Sequence, residues 1–297
     1  MPSPPRFQLD APAKINLTLE VLGRRKDGYH EIASLLQTIS LHDTLSFAPQ
    51  DGGEVVVDCD APALAGNPQA NLVWRAARVL QQASGVTQGA HITLQKRIPL
   101  AAGLGGGSSD AATALRGLNQ LWDLRLPDRE LENLASLLGS DVPFFVRGGT
   151  ALVEGRGEKV TPLRPLAGGW FVLVTPPLLL PDKTSLVYSL LRPYEYSKGA
   201  ITRRLVDTLA AGQRPPHTML YNGLEDAAFR AFDTLPTTTL HDVMQQIVAA
   251  GGEFARLTGA GPSLYCYCAE EAAAQALVAA LAPSGLPAHL VTADAPI

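Results

Sequence analysis

The chain has 297 residues, 46% of them hydrophobic and 18% charged, enough apolar material for a large core divided over about two domains. Its formal charge of -4, with no basic run, argues against a nucleic-acid surface. Three cysteines, Cys59, Cys266 and Cys268, are too few for a disulfide framework, and six scattered histidines offer no protein-built transition-metal site. No stretch approaches the ~20 apolar residues of a membrane span, so a reducing cytoplasm is the expected setting.

After a proline-rich lead, Ala11 to Leu22 alternates as a strand, with Ile15, Leu17, Leu19 and Val21 on one face and Lys14, Asn16 and Thr18 on the other. A lysine and an asparagine on one strand face ordinarily mark its solvated side. The charged turn Gly23 to Glu31 contains Asp27-Gly28, which predicts a hairpin, and it delivers Tyr29 and His30 ahead of the apolar run Ile32–Ile39. An aromatic ring beside an imidazole offers a stacking face and a hydrogen-bonding edge, as recognition of a base requires. Short strands are predicted between Thr44 and Asp58. Asn71 then caps an amphipathic helix with Leu72, Ala76, Val79 and Leu80 inward.

The most informative stretch is Pro99-Leu100-Ala101-Ala102-Gly103-Leu104-Gly105-Gly106-Gly107-Ser108-Ser109-Asp110. A strand pattern at Ile92 and Leu94 precedes it, and Ala111, Leu115, Leu118 and Trp122 follow at helical spacing. A strand therefore feeds a glycine loop that opens a helix, with Ser108 to Asp110 as the predicted cap, an arrangement that attracts phosphate. The lysine of a Walker loop is missing, and serine stands where a dinucleotide fingerprint needs glycine or alanine.

Pro127 to Leu138 reads as a helix. Asp141 follows at the edge of Val142-Pro143-Phe144-Phe145-Val146, which predicts partial burial of its carboxylate. Gly148 to Glu158 reads as a strand ending in a glycine turn. Composition shifts between Pro162 and Gly169, so two domains are expected, 1–163 and 164–297. The second holds a strand at Trp170–Val174, a proline-rich loop to Lys183, helices from Tyr221 and over Thr239–Ala250, strands from Phe254, over Leu264–Cys268 and over His289–Val291, and a helix over Glu270–Leu281. That order suits an antiparallel α+β sandwich, with Cys266 and Cys268 as packing residues.

Pro12 to Leu17, Asp27 to Glu31, Pro99 to Ala112, Gly139 to Phe145 and Leu257 to Ser263 together resemble the GHMP small-molecule kinases, and within them the family of 4-diphosphocytidyl-2-C-methyl-D-erythritol kinases. The Asp-Gly-Tyr-His element separates this resemblance from the mevalonate and homoserine kinases. It implies an α+β, two-domain GHMP kinase fold, with an N-terminal ATP-binding domain like ribosomal protein S5 domain 2 and a ferredoxin-like C-terminal sandwich. It implies ATP-dependent phosphorylation of the 2-hydroxyl of 4-diphosphocytidyl-2-C-methyl-D-erythritol in the non-mevalonate route to isoprenoids, with Mg2+ arriving on the nucleotide.

By the same resemblance, Asp141 takes the hydroxyl proton and Lys14 supplies countercharge. Pro99 to Ser109 cradles the ATP phosphates, with Asn71, Leu72 and Lys96 near adenine. Asn16, Tyr29, His30, Thr184, Tyr188, Gly259, Ala260 and Gly261 meet the substrate. Tyr29 and His30 recognise cytosine and Tyr188 covers its other face. The loop before Thr184 is about two residues longer than the family pattern, which leaves Thr184 and Tyr188 open to displacement. Another GHMP kinase, a non-catalytic binder or an RNA-binding relative are the alternatives.

Overall fold

The computed structural model describes residues 6–62, 68–166, 168–236, 238–294 and 297; the proline-rich lead and Ala167 of the expected junction lie outside them. The first of two sheets is built on a long antiparallel pair, β1 (Phe7–Arg24) and β2 (His30–Gln50). The Asp27-Gly28 turn closes this hairpin as the sequence predicts: Arg25 N–H donates to Tyr29 O at 2.8 Å and Gly28 takes a φ of 88°. Of the short strands expected between Thr44 and Asp58, the first part, up to Gln50, is the end of the long strand β2. That strand is long enough to carry two partners end to end, β4 (Gly89–Gln95) along Thr44–Gln50 and β5 (Thr150–Gly155) along Ile32–Gln37. β3 (Val55–Cys59) extends the sheet beyond β4 and β6 (Lys159–Pro162) beyond β5.

Helices α1 (Leu72–Ser84), α2 (Gly106–Leu121), α3 (Asp128–Ser136) and the single turn α4 (Phe144–Arg147) cover one face of this sheet. Leu45 and Phe47 of β2 meet Val73, Leu80, Leu115 and Leu118 there. Asn71 caps α1 as expected, its Oδ1 accepting from Val73 N–H at 2.9 Å. The buried stripe of α1 centres on Val73, Ala76, Ala77 and Leu80, with Leu72 only half-buried.

The second sheet is antiparallel throughout, in the order β11 (Ala288–Thr292), β7 (Trp170–Val174), β10 (Leu264–Cys268), β9 (Arg256–Leu257). Its strands alternate between two buried faces. Val172, Val174, Leu264 and Cys266 pack against α7 (Glu225–Phe232), α8 (Leu240–Ala249) and α9 (Glu271–Leu281). Phe171, Leu173, Tyr265 and Tyr267 face Ile15, Leu17, Leu35 and Ile39 of the first sheet. The two sheets thus lie back to back with helices outside, and the three cysteines are free.

The chain beyond residue 164 returns to the first sheet repeatedly; near its end Ala293 bridges Ile39 of β2. α6 (Ala200–Ala210) packs on the β1–β2 pair, with Thr202 N–H donating to Glu20 Oε2 at 2.7 Å. Tyr221–Asn222, expected as a helix start, forms β8 instead, parallel to β1 at Thr18 and Leu19; α7 begins only at Glu225. The strand expected from Phe254 starts at Arg256.

Candidate active site

β1 is buried on both faces. Lys14, Asn16 and Thr18, expected on a solvated side, are only 3%, 4% and 0% exposed: the glycine loop and the turn after β9 pack over Lys14 and Asn16, while past a register shift Thr18 meets α6, its Oγ1 accepting from Thr202 Oγ1 at 3.0 Å. Lys14 N–H donates to Leu104 O at 2.9 Å, and Asn16 N–H to Thr258 Oγ1 at 3.2 Å. The Lys14 ammonium donates to Asn16 Oδ1 at 2.7 Å and to Gly103 O at 3.0 Å. Asn16 Oδ1 also accepts Gly259 N–H at 2.9 Å, while Nδ2 donates to Ser34 Oγ at 2.9 Å. The Asn16 amide is thereby committed to holding Lys14 and the turn in place.

The glycine loop leaves β4 as predicted, anchored by Asp43, whose Oδ1 accepts Arg97 N–H at 2.5 Å and Ile98 N–H at 2.8 Å. The helix cap differs from expectation: Gly105, at a φ of 73°, is the N-cap of α2, without a side-chain bond. A Cβ on Gly105 would stand 2.7 Å from the Phe145 ring and 3.1 Å from Lys14 Cγ, so only glycine brings the loop down onto the lysine. Ser109 and Asp110 fall inside the helix, past its cap, and are buried, the Ser109 hydroxyl without a partner among the described residues. Asp110 accepts the Lys96 ammonium at 2.7 Å, and Asp43 accepts it as well. Burial pushes the Asp110 carboxyl up to about 7, with Lys96 pulling the other way.

A cleft of about 1230 Å³ runs between the loop, the β1–β2 turn, α5 (Lys183–Ser189) and the turn after β9. It brings together Lys14, Asn16, Leu72, Lys96, Pro99 to Ser108 and Asp141 with Tyr29, His30, Thr184, Tyr188, Gly259 and Ala260. The longer loop before Thr184 therefore does not carry Thr184 or Tyr188 away. Three other expected residues, Asn71, Ser109 and Gly261, are not on the cleft wall; Asn71 and Ser109 are buried behind it. Asp141 is half-buried, as its apolar neighbours Val142 to Val146 predicted, and no described residue donates a hydrogen bond to its carboxylate.

Electrostatics tie the two ends of the cleft together. Burial draws the Lys14 ammonium below its ordinary value, while the Asp141 charge acts in the opposite direction. Burial and the Asp141 charge push the Tyr188 phenol up. The Tyr188 ring lies 5.0 Å from the His30 ring at 31°, so these two rings touch each other and leave no slot for a base between them. His30 is held below its ordinary value by burial and by Arg24. Tyr29 is 51% exposed and carries the Arg156 guanidinium over its ring at 5.1 Å.

Two cleft residues carried no recognisable sequence signal, Lys183 and Arg156. Lys183 follows a proline-rich loop that reads only as a connection, and Arg156 sits in a glycine turn whose target is visible only in three dimensions. Asn222 Nδ2 donates to Leu257 O at 2.9 Å and Gly259 O at 2.8 Å, and so fixes the turn from behind. Among the described residues no helix is long and apolar enough to cross a membrane.

Residues 71–149 match the family of GHMP kinases N terminal domains. The chain is 40% identical to 4-diphosphocytidyl-2-C-methyl-D-erythritol kinase of Dehalococcoides mccartyi, over 97% of this chain and 98% of that protein. It is similar to a crystal structure of 4-(cytidine 5'-diphospho)-2C-methyl-D-erythritol kinase, with TM-score 0.79 and 36% identity over 96% of this chain and 98% of that one. Homoserine kinase from Cytophaga hutchinsonii, 17% identical with TM-score 0.67 over 97% of this chain and 94% of that one, shares the fold alone. The two-sheet α+β architecture is thus the GHMP kinase fold, and with this identity over nearly the whole length the chain belongs to the 4-diphosphocytidyl-2-C-methyl-D-erythritol kinase family.

Proposed function

We propose that this protein transfers the γ-phosphoryl group of ATP to the 2-hydroxyl of 4-diphosphocytidyl-2-C-methyl-D-erythritol, releasing ADP and the 2-phosphate. The observation that carries this reading is the unbonded Asp141 carboxylate facing one cleft with the buried Lys14 ammonium, the glycine loop at one end and Tyr29 and His30 at the other. Phosphoryl transfer through a loose transition state demands positioning and countercharge more than covalent chemistry. Asp141 is free to accept the hydroxyl proton, and Lys14 is held by Asn16 and Gly103 O where it faces developing phosphate charge.

The backbone from Pro99 to Ser108, running into the N-terminus of α2, is suited to nucleotide phosphates, because N–H groups and the helix dipole converge there. Leu72 on the same wall is available to the adenine. Lys96, held between Asp43 and Asp110, closes this end with a buried ion cluster. Tyr29 offers cytosine the ring face that Arg156 does not cover, and Tyr188 backs His30.

A magnesium ion brought by the nucleotide supplies countercharge to the phosphates. The Ser108 hydroxyl, on the cleft wall beside the glycine loop, would be a protein ligand to such an ion.

Measuring ADP release with 4-diphosphocytidyl-2-C-methyl-D-erythritol, mevalonate and homoserine in parallel tests the reading. Turnover of the first alone is expected; preference for either of the others would reject it.

A further inference from the structure

Lys183 opens α5 and lies outside every stretch that carries the family resemblance. Its ammonium donates to Ala101 O at 2.7 Å and to Gly261 O. An ammonium has three N–H groups, so two such bonds leave one uncommitted. Lys14 is in the same condition, with Asn16 Oδ1 and Gly103 O as its two acceptors. The two lysines therefore hold carbonyls two residues apart in the glycine loop.

Both also reach the turn after β9, Lys183 through Gly261 O and Lys14 by lying 3.3 Å from where a side chain on Gly259 would begin. Both line the cleft. Among the described residues neither has a carboxylate within ion-pair distance, whereas Lys96 has two. A buried ammonium with only carbonyl partners is costly to desolvate, and a neutral donor would tie the same carbonyls. The charge is then explained by an anion that arrives in the cleft.

We propose that Lys183 is a second cation of the phosphoryl-transfer site, acting with Lys14 on the oxygens of the phosphoryl group in transit. The inference rests on the kinase reading above. As the acceptor oxygen bonds to the γ-phosphorus, the bond from that phosphorus to the bridging oxygen breaks. Its electron pair leaves on ADP, and the hydroxyl proton passes to Asp141. The remaining N–H of Lys183 faces the γ-phosphoryl oxygens throughout, so that the turn after β9 and the glycine loop are drawn together around the group being moved. Burial and the neighbouring Lys14 bring the Lys183 ammonium down to about 8, and a phosphate oxygen beside it favours the charged form.

The test compares Lys183→Gln, Lys183→Met and Lys183→Arg by ADP release and thermal unfolding. Glutamine keeps two N–H donors for the two carbonyls and removes the charge together with the third N–H. Both neutral variants are expected to lose roughly 100-fold in kcat, the scale for removal of one transition-state donor, with KM for ATP and acceptor within about three-fold because the contact tightens in transit. Lys183→Arg is expected to recover at least a tenth of the wild-type kcat. Wild-type kcat in Lys183→Gln would overturn the proposal and leave Lys183 a structural tie. Should Lys183→Met fail to fold, the Gln and Arg variants decide alone. If the wild-type protein phosphorylates mevalonate or homoserine instead, the substrate reading fails, and the Lys183 comparison is read on that acceptor with the same expectation.

Discussion

Lys14 and Asn16, two residues apart on β1, are joined side chain to side chain, the ammonium donating to Asn16 Oδ1 at 2.7 Å. The same oxygen accepts Gly259 N–H, so one amide aligns the cleft lysine with a turn more than two hundred residues away. Asn16→Ala removes that acceptor and leaves buried donors unpaired, which costs about 1–3 kcal/mol. We expect a lowered unfolding temperature together with a reduced kcat. A stability loss with unchanged kcat would show that Lys14 keeps its position without Asn16.

Asp141→Asn preserves shape and removes the proton acceptor. A loss of about 100-fold or more in kcat is expected, the usual scale for general-base removal. Turnover within a few-fold of wild type would remove Asp141 from that role.

Two neighbouring glycines should respond oppositely to alanine. At Gly105 a Cβ meets the Phe145 ring at 2.7 Å with φ at 73°, whereas at Gly107 the nearest atom, Leu72 Cδ1, is 3.6 Å away. Gly105→Ala is therefore expected to destabilise the fold. Gly107→Ala should stabilise α2 by about 0.5–1 kcal/mol through the helix preference of alanine, while raising KM for ATP by crowding the phosphates. Unfolding temperatures and ATP saturation curves distinguish the two effects.

At the other end of the cleft, Tyr29 has little to pack against besides Arg156, so its removal should leave the fold intact. Stacking is worth about 1–3 kcal/mol per base, and Tyr29→Ala is expected to raise KM for the cytidyl substrate roughly ten- to hundred-fold with little change in kcat. An unaltered KM for that substrate would reject the cytosine assignment.

The pH dependence of stability follows from Lys183. Its ammonium releases its proton at about 8 in the folded chain and at about 10.4 when unfolded. Between those values the unfolded chain binds more protons, so folding gains stability as pH rises, and the contribution is lost as pH falls through about 8. The unfolding temperature of the wild type relative to Lys183→Met should therefore increase from pH 7.5 to pH 10, and a constant difference would contradict the burial-driven shift.

The sequence by itself determined what is local and periodic. The strand at Trp170–Val174, the Asn71 cap, the hairpin at Asp27-Gly28 and the strand, glycine loop and helix around Pro99 to Leu118 were all legible, because backbone dihedrals, caps and alternation depend on near neighbours. The ordered motifs also made the family legible. Tertiary structure alone decided burial and partnership. A strand face bearing Lys14 and Asn16 reads as solvated until a turn from the far end of the chain covers it. Ser109 and Asp110 read as caps until helix α2 begins earlier, at Gly106, and turns them inward. Lys183 reads as a loop residue until its ammonium meets Ala101 O and Gly261 O. Each of these rests on contacts between segments far apart in the chain, and no local pattern records which surfaces will meet.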